Sequence, residues 1–480
     1  MIEEHLQEIL NTPPLALDEI LSARERRADT QRQLLEEGQG TLICLTLNIA
    51  GAVKSAPLFT KAFEEGKSRI LTQLRFERAK IGKCIERHER TGDELYLLVD
   101  LDLVTAKRRM VEIEEGFALG RLLDIDVMAK GVPKISRQQL GLPPRRCLVC
   151  GEMAAACARS RRHDIREILR RTVELIDGYF VGEYADRVAG HACRALLYEV
   201  HIAPKPGLVD RENSGAHRDM DEFTFFDSAC ALHPYFRECA KKGALYREDP
   251  DALFALLRMD GKLAEQRMLR ATGGVNTHKG AIFSMGIFCA VMGSMMEEGF
   301  GESAFAARCK ALCRDLLRDF EGLEQKENLS YGERLYRDYG ITGIRGEAAQ
   351  GFPSVLQVGL PALREGSEAG KSLNDAALVA LLRLIQAVQD TNILTRSDPQ
   401  TLQWAQQQAG EVLEQGAGPE QMRELDRAFT ARNLSPGGCA DLLAGTIFLT
   451  LLEQAVPPGE RADPTGRHET GSPLSPSVDL

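Results

Sequence analysis

The spacing of apolar positions changes character once along the chain, near residue 165. Before that point, the short aliphatic runs Thr41–Leu47 and Glu94–Val99 predict buried strands. The segments Ala16–Gly38 and Thr105–Glu115 are charged and nearly free of helix breakers, so they predict helices. The sequence therefore predicts an α/β domain over residues 1–165.

Strand signals nearly vanish after this boundary, and an all-α domain is predicted over residues 166–456. The last stretch, 457–480, is rich in Pro, Gly, Ser and charged residues, which predicts a disordered tail. The helices predicted in the second domain are Asp164–Ile202, Asp221–Ala240, Asp251–Met259, Lys279–Glu298, Glu302–Leu323, Asp375–Gln389, Pro399–Glu414, Pro419–Ala431 and Ala440–Gln454.

Composition and charge exclude several classes of protein. A net charge of −10 over 480 residues argues against a general nucleic-acid binder. The 12 cysteines are too dilute for a disulfide scaffold, and the acidic, amphipathic N-terminus is unlike a signal peptide. The longest uncharged run, Gly280–Met296, is too short for a membrane span. A soluble, reduced, cytoplasmic protein without a membrane partner is expected.

The strongest chemical signal in the first half is the segment GRLLDIDV, residues 120–127. Alternate side chains of a strand share a face, so Asp124 and Asp126 project together, about 7 Å apart at their Cα atoms. Such a pair holds Mg²⁺ on a substrate phosphate in nucleotidyl transfer, and Arg121 and Lys130 could assist with phosphate charge. The alternative is a strand end with two solvated aspartates. Lys54, in a loop that leads into a helix, is a further candidate for phosphate binding.

Other paired or clustered polar residues in the first half are open to simpler interpretations. The pair Asp100 and Asp102 follows a strand and is interpreted as a turn. Cys147, Cys150, Cys157 and His163 supply the right atoms for a zinc site, but the spacing is compressed and ordinary reduced cysteines are preferred. Arginines also cluster here, and they could either bind a phosphorylated substrate or an acidic partner, or lie in a solvated linker. They are Arg137, Arg145, Arg146, Arg159, Arg161 and Arg162.

Polar loops recur at the ends of apolar helices in the second half. The first, APKPGLVDRENSGAHRDMD at 203–221, is ordered locally by its prolines and glycines. Glycine-preceded helix N-termini bind phosphate through free backbone N–H groups. Asp390, interpreted as lying at a helix C-terminus, is expected to have a specific partner because the helix dipole disfavours it there. The candidate residues on these loops are Lys205, Asp210, Arg211, His217, Asp219, Asn276, His278, Lys279, Arg345, Glu347, Asp390, Arg396, Ser435, Gly437, Gly438 and Asp441. Together they predict one multi-helix site for a highly phosphorylated ligand.

Several of these motifs resemble known families over nearly the whole chain except its tail. The 204–220 loop, GGVNTHKGAIF, GIRGEAAQGFP, DTNILTR and NLSPGGCADLLA resemble the triphosphoribosyl-dephospho-CoA synthase family. LNIAGAVKSAPLF, GRLLDIDV and ISRQQLGLPPRRC…CARSRRH resemble the apo-citrate lyase phosphoribosyl-dephospho-CoA transferase family. The chain thus resembles a bifunctional fusion, with a nucleotidyltransferase-like α/β domain followed by an all-α domain.

The resemblance implies two consecutive reactions. The second half would join ATP to 3′-dephospho-CoA and release adenine. The first half would then transfer phosphoribosyl-dephospho-CoA to a serine of the citrate lyase acyl carrier (gamma) subunit and release diphosphate. Alternatives left open are the equivalent carrier of malonate decarboxylase and a non-catalytic module that delivers a CoA-type ligand.

The resemblance also implies roles for the candidate residues. Mg²⁺ would be held by Asp124 and Asp126 in the first half. In the second half, the cationic clamps would be Lys205, Arg211, His278, Lys279 and Arg345. The metal ligands or the base would come from Asp210, Asp219, Glu347, Asp390 and Asp441, among which Glu347 is preferred as the base.

Overall fold

The computed structural model of the chain describes residues 1–132, 135 and 137–455. The chain divides into two compact units, residues 1–182 and residues 183–480. The division falls within the long helix Ile165–His201, whereas the sequence placed the boundary at the start of that helix. The tail predicted for 457–480 lies outside the described residues.

A four-stranded antiparallel sheet forms the centre of the N-terminal unit. Its strands are β1 (Thr41–Leu47), β2 (Ile81–Glu89), β3 (Gly92–Val99) and β4 (Leu123–Ala129), and they lie in the order β2-β3-β1-β4. The strands predicted at Thr41–Leu47 and within Gly92–Val99 are confirmed as β1 and β3. The edge strand β2 was not predicted, because as a solvated edge it carries mostly polar side chains.

Helices cover both faces of this sheet. One face packs its aliphatic side chains, including Ile43, Leu97 and Ile125, against α3 and α4. The opposite face, which carries Cys44 and Tyr96, packs against Leu34 of α2. The helices of this unit are α1 (Ile2–Asn11), α2 (Leu17–Glu37), α3 (Pro57–Phe76), α4 (Leu103–Gly116) and α5 (Ala154–Ser160), followed by α6 (Ile165–His201).

The described residues of the C-terminal unit form helices and loops but no strand, as predicted. Three helices and a π-helical segment between residues 331 and 368 were not predicted as separate elements. After α6, the helices are α7 (Glu222–Leu245), α8 (Pro250–Ala271), α9 (Lys279–Ser294), α10 (Glu302–Leu312), α11 (Tyr331–Tyr339), α12 (Gly343–Ala349), α13 (Leu360–Glu368), α14 (Leu373–Ala387), α15 (Thr391–Arg396), α16 (Pro399–Glu414), α17 (Pro419–Ala431) and α18 (Gly437–Ala455).

Helix α9 lies at the centre of this unit. It is apolar on all sides, as expected for a helix surrounded by others, and packs against α7, α8, α10 and α18. Glycines allow a close approach between α7 and α9: a Cβ atom on Gly243 would lie 1.8 Å from the Ala290 carbonyl oxygen, and one on Gly293 would lie 1.9 Å from that of Ala240. This packing fixes the N-terminus of α9, which opens onto the site described below.

None of the helices within the described ranges combines the length and the apolar character that a bilayer crossing requires.

Candidate active sites

Asp210 organises the 203–221 loop from within. Its Oδ2 accepts a hydrogen bond from the backbone N–H of Lys205 at 2.7 Å. Its Oδ1 accepts from the backbone N–H groups of Glu212 at 2.7 Å and Asn213 at 3.0 Å. Burial raises the pKa of Asp210, and these N–H donors oppose that rise. The carboxylate thus holds the loop in shape and does not line the cavity that the loop helps to form.

Two basic residues of this loop, Lys205 and Arg211, have different surroundings. Lys205 is 1% exposed, and its Nζ donates to the Glu199 carbonyl oxygen at 2.7 Å and to the Glu199 carboxylate. Arg211 lies outside the cavity, where it donates to the His201 carbonyl oxygen at 3.0 Å and to Asn374 Oδ1 at 3.1 Å. Arg211 therefore attaches the loop to neighbouring helices, although the sequence suggested an anion clamp.

A cavity of about 540 Å³ lies where the 203–221 loop meets the starts of α9 and α18. We refer to it as the large cavity, because it is larger than the second cavity of the C-terminal unit described below. Its deep wall includes Lys205, His278 and Ser435, which are buried. The predicted residues that line it are Lys205, His217, Asp219, Asn276, His278, Lys279, Arg396, Ser435, Gly437 and Asp441. Sequence reasoning missed Glu199 and Arg218, which also line it.

The N-termini of two helices open onto the large cavity. Helix α9 begins at Lys279 and α18 begins at Gly437, and both residues line the cavity. Free backbone N–H groups and the positive ends of the two helix dipoles suit this cavity to an anionic ligand. Lys279 Nζ lies 2.5 Å from Glu265 Oε1 and is largely exposed, so it can contribute charge near the entrance.

Asp441 lies against the first turn of α9. Its carboxylate accepts a hydrogen bond from the backbone N–H of Ala281. A Cβ atom on Gly280 would lie 1.9 Å from Asp441 Oδ2, so only glycine fits beside this carboxylate. Burial raises the pKa of Asp441 well above its ordinary value, and the carboxylates of Glu199 and Asp390 raise it further. A carboxyl group in such surroundings can carry a proton near neutral pH.

His278 presents a buried, neutral imidazole to the large cavity. Its Nδ1 lies 2.7 Å from Ser228 Oγ, which accepts a hydrogen bond from Thr277 Oγ1 at 2.8 Å. Burial and the charge of Lys205 lower the pKa of His278 to about 3. Its Nε2 is buried and has no hydrogen-bond partner among the described residues. The imidazole therefore suits a hydrogen bond to a ligand and not the cationic clamp that the sequence suggested.

His217 connects the 203–221 loop to α15 and to the residues just before α18. His217 Nε2 lies 3.0 Å from Ser435 Oγ and 3.5 Å from an Nη atom of Arg396. Burial and the neighbouring guanidinium lower the pKa of His217. Burial also lowers the pKa of Arg396, while Asp219 and Asp390 oppose that change. Arg396 is exposed at the cavity and can meet an anion there.

Three predicted residues line a separate cavity of about 340 Å³, the small cavity: Glu347, Asp390 and Gly438. The Glu347 carboxylate accepts from Ser354 Oγ at 2.6 Å and from the Ser354 backbone N–H at 3.2 Å. The first turns of α18 line both cavities, since Gly437 faces the large one and Gly438 the small one. The preferred base, Glu347, therefore lies apart from the residues of the large cavity.

Asp390 is not at a helix C-terminus, and that interpretation was wrong. The apolar helix α14 ends at Ala387, and Asp390 is the N-cap of α15. Its Oδ1 accepts from the Asn392 backbone N–H at 2.7 Å, and its Oδ2 accepts from the Cys439 backbone N–H at 2.8 Å. The expected specific partner is confirmed, because this carboxylate joins the starts of α15 and α18.

Arg345 lines neither cavity. Its Nε lies 3.7 Å from Asp319 Oδ2, and its guanidinium carbon lies 5.1 Å from the centre of the Phe320 ring. The Asp319 carboxylate and the Phe320 ring therefore stabilise the positive charge of Arg345 outside both cavities.

In the N-terminal unit, Asp124 and Asp126 project from the same face of β4. Leu123, Ile125 and Val127 are buried on the other face, as predicted. In the register of the sheet, Asp124 pairs with Thr46 of β1 and Asp126 pairs with Cys44. Asp102 follows strand β3, as predicted, but it is the N-cap of α4 and not part of a turn: its carboxylate accepts from the Val104 and Thr105 backbone N–H groups.

A buried carboxylate that sequence reasoning missed arranges arginines beside Asp124. Glu114 is 3% exposed and lies 2.5 Å from an Nη atom of Arg145 and 3.1 Å from one of Arg137. Glu114 Oε1 also accepts from the Ile125 backbone N–H at 3.2 Å. Arg145 lies 3.9 Å from Asp124. The sequence did indicate this burial, because Glu114 follows the apolar Met110 by one helical turn and so lies on the same, buried face of α4.

Further positive charge surrounds this part of the sheet. Burial lowers the pKa of Arg121, and the nearby guanidinium groups of Arg145 and Arg137 lower it further. Burial also lowers the pKa of Lys54, with contributions from Arg24 and Arg27 of α2. Lys130 is exposed and donates to the Glu36 carbonyl oxygen at 3.3 Å. Arg121 and Lys54 thus lie in basic surroundings that favour an anion.

Metal-binding geometry differs between the predicted sites. The donors of Cys147, Cys150, Cys157 and His163 lie within 4.8 Å of one another. Among the described residues, the predicted Mg²⁺ carboxylates are not part of any cluster of three donors at that spacing. Their chemistry still fits Mg²⁺, which is commonly held by one or two carboxylates together with substrate phosphates.

Two family models match the chain in succession. The model described as "Apo-citrate lyase phosphoribosyl-dephospho-CoA transferase" matches residues 15–179. The model described as "ATP:dephospho-CoA triphosphoribosyl transferase" matches residues 185–459.

Relatives match either the whole chain or its second half. "Protein CitXG" of Haemophilus influenzae is 37% identical over 454 residues, which cover 90% of this chain and 96% of the relative. "Protein CitXG" of Leuconostoc mesenteroides subsp. cremoris is 35% identical, covering 91% of this chain and 97% of the relative. A "Probable 2-(5''-triphosphoribosyl)-3'-dephosphocoenzyme-A synthase" of Lactiplantibacillus plantarum is 44% identical over 55% of this chain and 96% of its own length.

Proposed function

The chain belongs to the family of CitXG proteins, and we propose that it both makes and attaches the prosthetic group of citrate lyase. It is a transferase with two activities. The C-terminal unit makes 2′-(5″-triphosphoribosyl)-3′-dephospho-CoA from ATP and 3′-dephospho-CoA. The N-terminal unit, nucleotidyltransferase-like in function, transfers phosphoribosyl-dephospho-CoA to a serine of the acyl carrier subunit. The observation that carries the first activity is the large cavity, where the Asp441 carboxyl group lies beside the N-termini of two helices.

In the first reaction, a ribose hydroxyl of dephospho-CoA attacks the ribose carbon of ATP that bears adenine. A C–O bond forms, the C–N bond to adenine breaks, and a proton must move from the hydroxyl to the departing base. Asp441 would begin protonated, because burial and neighbouring carboxylates raise its pKa. It would give its proton to the departing adenine and then take up the proton of the attacking hydroxyl. We assign it this acid–base role in preference to Glu347, which lines the small cavity.

The triphosphate of ATP remains on the product and requires positive charge along its length. The N-termini of α9 and α18, Lys279 and Arg396 would supply that charge. The neutral His278 would donate or accept one hydrogen bond through Nε2, with its orientation set by Ser228. Asp219, exposed at the large cavity, is a proposed ligand of Mg²⁺ on the triphosphate.

In the second reaction, the carrier serine oxygen attacks phosphorus, the bond to diphosphate breaks, and the serine proton passes to the carboxylate of Asp124 or Asp126. Asp124 and Asp126 would hold Mg²⁺, which neutralises phosphate charge when bound. Arg145, oriented by the buried Glu114, would bind the departing diphosphate, with Arg121 close by. The basic surroundings also suit an acidic carrier surface. The reaction would take place in the cytoplasm.

One experiment separates this proposal from its alternatives. The full chain is incubated with ATP, 3′-dephospho-CoA and Mg²⁺, and free adenine is measured; apo carrier subunit is then added, and its mass is measured. We expect adenine release without carrier, followed by a mass increase equal to phosphoribosyl-dephospho-CoA. A non-catalytic delivery module would bind the nucleotide but release no adenine. Modification of a malonate decarboxylase carrier and not of the citrate lyase carrier would reassign the partner.

A further inference from the structure

Cys147, Cys150, Cys157 and His163 form a compact donor cluster in the N-terminal unit. One donor atom from each residue lies within 4.8 Å of all the others. Cys150 Sγ and Cys157 Sγ are 3.5 Å apart. Two thiolates that share a tetrahedral zinc ion at about 2.3 Å are about 3.8 Å apart, whereas sulfurs in a disulfide are about 2.05 Å apart. The spacing thus resembles a pair of zinc ligands.

The local backbone brings these four residues together. A short turn joins Cys147 to Cys150, in which the Gly151 backbone N–H donates to the Cys147 carbonyl oxygen at 3.1 Å. Helix α5 carries Cys157, and the chain reverses after it because Arg161 adopts a left-handed conformation with φ 47°. The Arg162 backbone N–H then donates to the Cys157 carbonyl oxygen at 3.2 Å. This reversal places His163 beside the cysteines. The number of residues between the ligands along the chain does not predict this proximity.

The His163 ring supplies a second, independent observation. Its side chain is 10% exposed, and its Nε2 is buried without a hydrogen-bond partner among the described residues. Its Nδ1 lies 3.4 Å from Glu167 Oε2, one helical turn further along the chain. A carboxylate at the far nitrogen orients a zinc-bound imidazole and increases its basicity. A buried nitrogen without a partner costs free energy unless a ligand satisfies it.

We propose that Cys147, Cys150, Cys157 and His163 bind one structural zinc ion. Three thiolates and one imidazole complete a tetrahedral set, so no position remains open for a substrate. The ion would stabilise the segment 145–163, of whose residues only Cys157 is buried. This proposal is independent of the enzymatic roles assigned above.

The zinc segment also carries a residue of the proposed transferase site. Arg145 precedes the first ligand by two positions, and its carbonyl oxygen accepts from the Ala154 backbone N–H at 2.9 Å. Its side chain contacts Glu114 and lies 3.9 Å from Asp124. Zinc would therefore position Arg145 beside Asp124, a consequence that rests on the proposed transferase function.

The test measures metal content in the untagged, full-length protein. The protein is expressed with Zn²⁺, freed of loose metal by gel filtration and analysed by mass spectrometry for metals. We expect one zinc ion per chain. Cys147→Ser/Cys150→Ser should lose it, whereas Cys84→Ser and Cys230→Ser, at exposed cysteines outside the cluster, should retain it. Zinc-free wild-type protein, or full zinc retention in the double variant, would overturn the proposal.

A second pair of variants guards against simple misfolding. Zinc accepts four thiolates as readily as three thiolates and one imidazole, so His163→Cys should retain the ion, while His163→Ala should bind it more weakly. When cobalt replaces zinc, His163→Cys should increase the thiolate-to-cobalt absorption relative to wild type. An unchanged cobalt spectrum would remove His163 from the ligand set, and a disulfide between Cys150 and Cys157 in the isolated protein would contradict the proposed site.

Discussion

Lys205 and Glu199 form a buried ion pair at the wall of the large cavity, with 1% and 5% of each residue exposed. The Lys205 ammonium donates to the Glu199 carbonyl oxygen at 2.7 Å as well as to its carboxylate. Burial raises the pKa of Glu199, and the ion pair with Lys205 opposes part of that rise. Lys205 thus compensates a buried charge in addition to lining the large cavity.

Lys205→Ala is expected to lower the free energy of unfolding by about 3–5 kcal/mol, because it leaves Glu199 buried without its partner. Chemical denaturation measures this loss. The double variant Lys205→Met/Glu199→Leu, which removes both charges, should recover most of the stability. We expect adenine release to remain low in the double variant, because Lys205 also lines the cavity. Full recovery of adenine release would limit Lys205 to supporting the fold.

Gly280→Ala is expected to reduce adenine release by roughly 100-fold, the scale of a small displacement of reacting groups. The added Cβ would lie 1.9 Å from Asp441 Oδ2, so the carboxylate must move. Steady-state kinetics of adenine formation measures the effect. The matched control is Gly190→Ala in α6, where a Cβ meets nothing within 4 Å; it should retain wild-type activity. Normal kinetics in Gly280→Ala would argue against the acid–base role of Asp441.

His278 should make the protein less stable as the pH decreases. Its pKa is about 3 in the folded protein and near its ordinary value of 6.5 in the unfolded chain. The unfolded state therefore binds more protons between these values, so His278 contributes stability above pH ~6.5 that is lost progressively as the pH falls toward ~3. His278→Asn should flatten this part of the stability profile.

Thermal unfolding of wild type and His278→Asn at a series of pH values measures this difference. Other groups with shifted pKa values, such as His217, are common to both proteins and cancel in the comparison. Two parallel profiles would mean that His278 is accessible to protons in the folded protein.

Glu114→Gln is expected to reduce carrier modification by at least ~10-fold while adenine release continues, because an uncharged amide holds Arg145 and Arg137 less firmly. Mass spectrometry of the carrier and chromatography of adenine measure the two activities. Glu115→Gln is the matched control, since Glu115 is exposed and contacts only Arg137 of this pair. Equal effects of the two changes would remove the special role of the buried carboxylate.

Much of the fold could be predicted because strong apolar patterns survive in the structure. Strand Thr41–Leu47 and helices Pro399–Glu414 and Pro419–Ala431 have the predicted bounds. The edge strand Ile81–Glu89 was missed because solvent, and not a core, surrounds most of its side chains. Helix Gly343–Ala349 was missed because its glycines and charges are also typical of a loop.

The candidate site was predictable as a set of loops but not as a set of roles. Most of the polar residues singled out in the C-terminal half do line one of two cavities. Sequence alone could not distinguish a carboxylate that binds ligand from one that binds backbone, as Asp210 does. It also could not show that Arg345 is paired with Asp319, or that burial keeps His278 neutral.

The central claim is that the two activities occupy separate sites in the two halves of the chain. Asp124→Asn tests it most directly, with adenine release and carrier modification measured on the same preparation. The account predicts wild-type adenine release and a loss of carrier modification by at least ~100-fold, since a proposed Mg²⁺ ligand is removed. Loss of both activities, or unchanged carrier modification, would contradict it.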